Sequence, residues 1–376
     1  MGDGGGCLEA DLANLARNAF KVYGKAAHRN LVEPRRARYA RLDDKYRSYI
    51  DSFFLAHLDK IENAIEDNAF FLSQVKDTAV FAFSEDETVQ DPATWSGCSS
   101  TDMDKVQSTL RQVAREWSTE GAEERAQSYG VILEELQQLY PNIEDRHKIR
   151  VLVPGCGLGR LPFDLAALGF EAQGNEFSFH MLFTSNLIMN MCDSRNMFRI
   201  HPYIHSFSHH RTRDNQIKEV LVPDISPHVL AEHRQMDPTI PEEGLLSMTA
   251  GSFDEIYPSK DGSLFNVITT VFFIDTAPNI FQTLKAISDT LVPGGLWINF
   301  GPLLWHYEDV ATSLDDDDDR SCGFELSLSD LIALIPNFGL ELVKRRSDIP
   351  TRYTSGSSDA MGGFLYRCEY WVARKL

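Results

Sequence analysis

A short apolar run, residues 149–154 (IRVLVP), passes directly into Gly155-Cys156-Gly157-Leu158-Gly159-Arg160. A run this short and apolar, closed by glycines, predicts a strand buried inside a parallel sheet. Glycines on alternate positions let the backbone turn through φ > 0 and lie bare against a ligand. The helix expected over 161–168 would present free N–H groups at its start. Strand, turn and helix in this order open a doubly wound α/β sheet, so this string constrains the fold more than any other.

The rest of the second half keeps the alternation. Residues 172–176 read as a strand ending on Glu176, and 177–192 as a helix. Residues 263–274 (SLFNVITTVFFI) contain a strong strand, 278–291 read as a helix, and 296–300 (LWINF) as a strand entered through Pro293-Gly294-Gly295. Such alternation gives a mostly parallel sheet with right-handed crossovers. Residues 1–145 read differently. Leu8, Leu12, Leu15 and Phe20, then Tyr46, Ile50, Phe53, Phe54, Leu58 and Ile61, recur at helical spacing. Further helices are expected over 102–117 and 123–139. The expected organisation is a helical region 1–145 that contributes to the cofactor site, followed by an α/β domain 146–376. An inserted cap of about 195–248, rich in His, Pro and Arg, interrupts that domain. Residues 83–101 and the acidic run 315–319 read as loops.

Charge narrows the partners. With 55 Asp and Glu against 36 Lys and Arg, the formal net charge is −19. Nucleic acid and anionic membranes are repelled on average by such a surface, so a small substrate is expected and neither polymer nor membrane. The six cysteines form no CxxC pair, and no metal site is expected. Scattered cysteines and a start without a basic, apolar leader point to reduced thiols in the cytoplasm, with the nucleus as a second location. No apolar run reaches membrane-spanning length. The sequence leaves a homodimer open.

The glycine spacing is G-x-G-x-G, not the G-x-G-x-x-G of a dinucleotide pyrophosphate site. Glu176 follows Gly155 by 21 residues (176 − 155) and closes the second strand, where a carboxylate can accept both ribose hydroxyls. Gly251-Ser252-Phe253-Asp254, after an expected third strand, can bracket an adenine with a backbone N–H, a hydroxyl and a ring. A nucleoside without phosphates follows, and S-adenosylmethionine fits best. The expected fold is a class I, Rossmann-like methyltransferase.

The chain resembles the carnosine N-methyltransferases over about residues 10–376. The resemblance rests on DKVQSTL at 104–110, VLVPGCGLGRL at 151–161, QGNEFSFHMLF at 173–183, FFIDTA at 272–277 and NFGPLLWHYE at 299–308. It implies transfer of a methyl group from S-adenosylmethionine to an imidazole nitrogen of carnosine, giving anserine. It implies cofactor contacts from Gln112, Arg115, Gly155, Gly157, Glu176, Ser252, Phe253 and Val271. It implies catalytic and substrate contacts from Asp275, His306 and Tyr366, with Tyr353 and Tyr370 as alternatives for the tyrosine. Read from the residues alone, the acceptor could also be a peptidyl histidine or another small amine. A non-catalytic cofactor-binding protein is the reading from a different class.

Overall fold

The computed structural model describes residues 4–82, 98–230, 245–258, 264–308, 323–353, 357 and 359–376. Most of the loop expected at 83–101, the acidic run 315–319 and residues 231–244 of the expected insertion lie outside the described residues. The chain forms two compact units that interleave along the sequence. One comprises Met1–Ala122, Phe179–His228 and Thr354–Phe364; the other comprises Glu123–Ser178, Val229–Tyr353 and Leu365–Leu376.

The second unit holds a seven-stranded sheet. Its strands are β1 (Arg150–Pro154), β2 (Glu171–Glu176), β3 (Leu246–Ala250), β4 (Phe265–Val271), β5 (Leu291–Gly301), β6 (Leu340–Arg352) and β7 (Leu365–Lys375). Their spatial order is β3-β2-β1-β4-β5-β7-β6. The first five pair in parallel, and β7 runs antiparallel to both β5 and β6. This order, with the last hairpin reversed, is the class I methyltransferase arrangement of the expected Rossmann-like α/β fold. Period-two alternation divides the core between the two faces. Val151, Val153, Ile298, Phe300 and Val372 pack on one side with helices Tyr129–Leu139 and Arg160–Ala167. Leu152, Ile268, Trp297 and Trp371 pack on the other with helices Ile280–Thr290 and Leu328–Leu334.

The first unit is mainly helical. Helix Ser100–Trp117 starts at a reciprocal cap: the Asp102 N–H donates to Ser99 Oγ at 3.1 Å, and the Ser99 N–H to Asp102 Oδ2 at 2.9 Å. Val106, Leu110, Val113 and Trp117 recur along its buried face. Between helices Gly4–Ala27 and Glu33–Ala40 the chain widens into an i→i−5 turn, His28–Val32. Pro34 explains it, because proline has no N–H with which to continue the regular ladder. Among the described residues no helix is long and apolar enough to cross a membrane.

Several expectations need correction. The units do not follow a boundary at 145/146. Helix Phe179–Met191 was expected as a crossover of the sheet domain, yet it packs on helices Gly4–Ala27 and Phe54–Ala82. Apolar residues are not confined to one of its faces, and nearly every residue from His180 to Ile188 is buried, so it needs partners on several sides. The described part of the expected insertion includes an antiparallel pair, Phe198–Ile200 with Val220–Val222, in the first unit, whereas residues 246–248 begin β3. The helix expected over 123–139 is two helices, Ala122–Gln127 and Tyr129–Leu139, parted at Ser128, whose hydroxyl bonds the Glu124 carbonyl at 2.8 Å.

A polar chain crosses the core between β4 and β5. The Trp297 indole N–H donates to Thr270 Oγ1 at 2.8 Å, and that hydroxyl donates to Asn299 Oδ1 at 2.8 Å. All three side chains are buried. Thr270→Val keeps the shape but strips partners from two buried groups, each worth about 1–3 kcal/mol. Urea unfolding should show a loss of roughly 2–4 kcal/mol, and Thr270→Ser should lose far less. Equal midpoints for parent and Thr270→Val would refute the assignment.

Candidate active site

The five parallel strands end on one edge of the sheet. From β1 the chain winds outward to β2 and β3, then returns to β4 on the other flank. The crevice beyond β1 and β4 is therefore the topological switch point, where open α/β sheets bind ligands. Gly155 and Gly157 follow β1, Glu176 ends β2, Ser252 and Phe253 follow β3, Asp275 follows β4, and His306 follows β5.

The glycine turn is built as the spacing requires. Gly155, Gly157 and Gly159 all take positive φ, at 61°, 59° and 78°. A side chain on Gly155 would also have no room: its Cβ would lie 2.4 Å from Phe273 Cδ2. Cys156 is buried between the two glycines, so the bare backbone of Gly155 faces outward. Glu176 ties this turn to β2. Its Oε2 accepts the Gly157 N–H at 2.9 Å, and its Oε1 accepts those of Phe177 and Ser178 at 2.9 and 2.8 Å. Next to it, the buried Asn175 amide donates to the Gly251 carbonyl at 3.0 Å, holding the turn after β3. Ser252 is the N-cap residue of the turn of helix Phe253–Ile256. The buried Phe253 ring meets Phe273 edge-on, with centroids 5.8 Å apart. Bare backbone, a strand-tip carboxylate and an aromatic wall fit an adenosyl group.

The end of β4 carries the second half. Val271 is buried and pairs in register with Phe300. Phe272 has φ 51°, in the left-handed region that a bulky side chain rarely enters. Gly301 makes this possible, since a Cβ there would come within 3.1 Å of the Phe272 nitrogen. The Phe272 ring stacks on Tyr353 at 3.6 Å and meets Tyr366 edge-on at 5.8 Å. The reversal leads into the turn Ile274–Thr276, which carries Asp275. Asp275 is buried, and its Oδ2 accepts the Leu304 N–H at 2.8 Å. The His306 N–H donates to the Asp275 carbonyl at 3.1 Å, while the His306 side chain is exposed. Burial pushes the Asp275 carboxyl above its ordinary range, against the opposing pull of the Leu304 N–H and the His306 ring. Burial, then the Asp275 charge, push the half-buried Tyr366 phenol up.

The second unit thus brings together Gly155, Gly157, Glu176, Ser252, Phe253, Val271, Asp275, His306 and Tyr366. Gln112 and Arg115 belong to the first unit. Gln112 is half-buried, and the buried Arg115 pairs with the fully buried Glu116, Nη2 to Oε1, at 2.7 Å. Of the alternative tyrosines, Tyr353 is in the stack, whereas Tyr370 is fully buried in the sheet core beneath Arg346. The sequence reading passed over Phe272, Phe273 and the Leu304 N–H. Both rings sat inside an apolar run that read as strand, and only the glycine of NFG hinted at close approach. Among the described residues no cluster of three His, Cys, Asp or Glu could hold a metal ion.

A class I S-adenosylmethionine-dependent methyltransferase is the class that this strand order, glycine turn and strand-tip carboxylate define. The sequence profile of the family described as carnosine N-methyltransferase matches residues 92–376. The protein named carnosine N-methyltransferase from Schizosaccharomyces pombe is 40% identical over 95% of this chain and 94% of its own. That from Mus musculus is 36% identical over 95% of this chain and 84% of its own. Among solved structures, the CcbJ methyltransferase from Streptomyces caelestis is 17% identical, covering 71% of this chain and 96% of that one at a TM-score of 0.36. The chain belongs to the carnosine N-methyltransferase family.

Two substitutions test the site. Gly155→Ala combines a disfavoured φ with a clash on Phe273, and should weaken S-adenosylhomocysteine binding by roughly tenfold or more in calorimetry. Unchanged affinity would refute the cradle. Asp254, whose carboxylate accepts the Thr283 hydroxyl at 2.9 Å, is pushed up to about 6, chiefly by burial. A raised carboxylate means the folded state binds the proton more tightly, so its charge opposes folding above pH 6 and is relieved on acidification. Asp254→Asn should therefore raise stability at pH 7.5 by on the order of 1 kcal/mol, discounted for partial exposure, and change it little at pH 4.

Proposed function

We propose that this chain transfers a methyl group from S-adenosylmethionine to an imidazole nitrogen of carnosine, giving anserine and S-adenosylhomocysteine. One observation carries the catalytic part: a buried carboxylate, Asp275, held by the Leu304 N–H at the end of β4 beside the Phe272–Tyr353–Tyr366 rings. The cofactor supplies an electrophilic methyl group on a sulfonium. Gly155, Gly157, Glu176, Ser252, Phe253 and Val271 would hold it. Gln112 and Arg115 enter this proposal through the resemblance alone.

A neutral imidazole has one N–H and one lone pair. Asp275 accepts the N–H of the nitrogen that is not methylated, which fixes the tautomer and leaves the other lone pair free to react. The carboxylate also stabilises positive charge as it grows on the ring. No strong base is needed, because histidine side chains titrate near pH 6.5 and are mostly neutral at pH 7. The Phe272 ring offers a flat wall for the imidazole, and His306 and Tyr366 orient the rest of the dipeptide. Positioning of this kind can contribute roughly 7–11 kcal/mol.

Asp275→Ala should lower kcat by roughly 100-fold or more while leaving S-adenosylhomocysteine affinity unchanged. Near-normal turnover would end this reading. The pH dependence follows from the raised Asp275 carboxyl: it and the substrate ring both take up a proton on acidification. The rate should fall on the acid side, beginning above the ordinary carboxylate range. Labelled methyl groups should enter carnosine; labelling of cell protein alone would point to a peptidyl histidine acceptor.

A further inference from the structure

We infer that Phe273 is a positioning residue: its ring ties the glycine turn that carries the cofactor to the turn that carries Asp275, so that a seated cofactor fixes the carboxylate facing the acceptor. For its consequence in catalysis the inference rests on the role proposed for Asp275. Phe272 and Phe273 are consecutive, yet their rings serve different neighbours. The Phe272 ring stacks on Tyr353 and meets Tyr366. The Phe273 ring lies against Gly155: three of its carbons would crowd a Cβ at that position, two of them at 3.1 and 3.3 Å. The same ring meets the buried Phe253 edge-on, with centroids 5.8 Å apart and planes at 89°. It therefore touches both the turn after β1 and the turn after β3. All of these residues belong to the sheet unit.

The backbone of the same residue holds the acceptor side. The Phe273 carbonyl accepts the Thr276 N–H at 2.9 Å and the Thr276 hydroxyl at 2.7 Å, which closes the turn Ile274–Thr276 around Asp275. That turn takes the Leu304 N–H on the Asp275 carboxylate and the His306 N–H on the Asp275 carbonyl. Ile274 and Asp275 are buried, so the turn is packed in place as well as bonded. A ring wedged between two turns shifts only if both give way, because close-packed groups transmit displacement. Gly155 has no side chain with which to absorb such a shift. A ligand that immobilises the glycine turn thus immobilises the Asp275 turn through the ring between them. Ordering one half of the site lowers the cost of ordering the other. A smaller apolar side chain at 273 would end β4 equally well, but it would leave Gly155 uncovered and the two halves free to move apart.

Calorimetry and amide hydrogen exchange on the full chain, with S-adenosylhomocysteine as the probe, test this without any acceptor. In the parent the probe should slow exchange of the Leu304 and His306 amides, the two that Asp275 holds. Phe273→Leu removes the ring and keeps an apolar side chain. It should bind the probe roughly three- to tenfold more weakly, the worth of one aromatic pair. With the probe saturating, it should show no slowing at those two amides, while the amide of Ile298 in the core exchanges as in the parent. Its kcat at saturating cofactor should fall by roughly tenfold or more, since saturation restores occupancy but not position. Phe273→Met should move all three readouts the same way and covers the case in which Phe273→Leu fails to fold. The inference is overturned if the probe slows neither amide in the parent, or if the slowing persists in the variants. It is also overturned if their affinity or their kcat equals the parent's, or if Ile298 loosens as much as Leu304 and His306. A parent that does not methylate carnosine would end the proposed function, and the exchange result would still decide this one.

Discussion

The Glu176 carboxylate is the interaction on which the rest of the site depends. It accepts three backbone N–H groups, one from the glycine turn after β1 and two from the chain leaving β2. Hydrogen bonds to a charged group contribute about 1.5–3 kcal/mol each, twice the neutral kind. The strands they join are already paired in register up to Pro154 and Asn175. The carboxylate extends that pairing past the ends of the strands, where ladder bonds stop and a ligand must be met. Turn and strand tip therefore behave as one rigid edge.

A second constraint works across β4 and β5. Phe272 holds a left-handed backbone that costs on the order of 1–3 kcal/mol. The missing side chain of Gly301 and the bond from the Phe272 N–H to the Phe300 carbonyl, at 2.9 Å, sustain it. The reversal turns the chain inward, so that Asp275 is buried where an extended strand would have carried it outward. Two further bonds, Leu304 N–H to the carboxylate and His306 N–H to the Asp275 carbonyl, stitch the loops after β4 and β5 together. Strain at one residue thus places a charge at the next turn.

The parallel core was legible because its signals are local. An apolar run, a glycine turn and a strand-tip acid each lie within a few residues, and β1, β2, β4 and β5 stand where the alternation put them. The β6–β7 hairpin was not legible. Leu340–Arg352 is exposed along most of its length and carries Lys344, Arg345 and Arg346, so it lacks the apolar run of a buried strand. Residues 177–192 were legible as a helix, but nothing in them says which helices enclose it. At the site, Asp275 stood out by its place after an apolar run, whereas Tyr366 came through the resemblance, with Tyr353 and Tyr370 as alternatives. The ring group of Phe272, Tyr353 and Tyr366 was not legible, because it needs Phe272 in a conformation with no sequence signature.

One consequence follows from the way β6 and β7 are joined. Arg352 and Leu365 are ladder partners, so the segment between them leaves and re-enters the sheet at a single rung. Closing a loop across so short a gap costs little more when the loop lengthens, since the penalty grows only with the logarithm of its length. Residues 357, 360 and 362–364 of that segment line a cavity of the helical unit together with Arg111. Insertions and deletions here therefore change the wall of that cavity while the register beneath Tyr366 stays fixed. A single hairpin connection uncouples change in the one from change in the other.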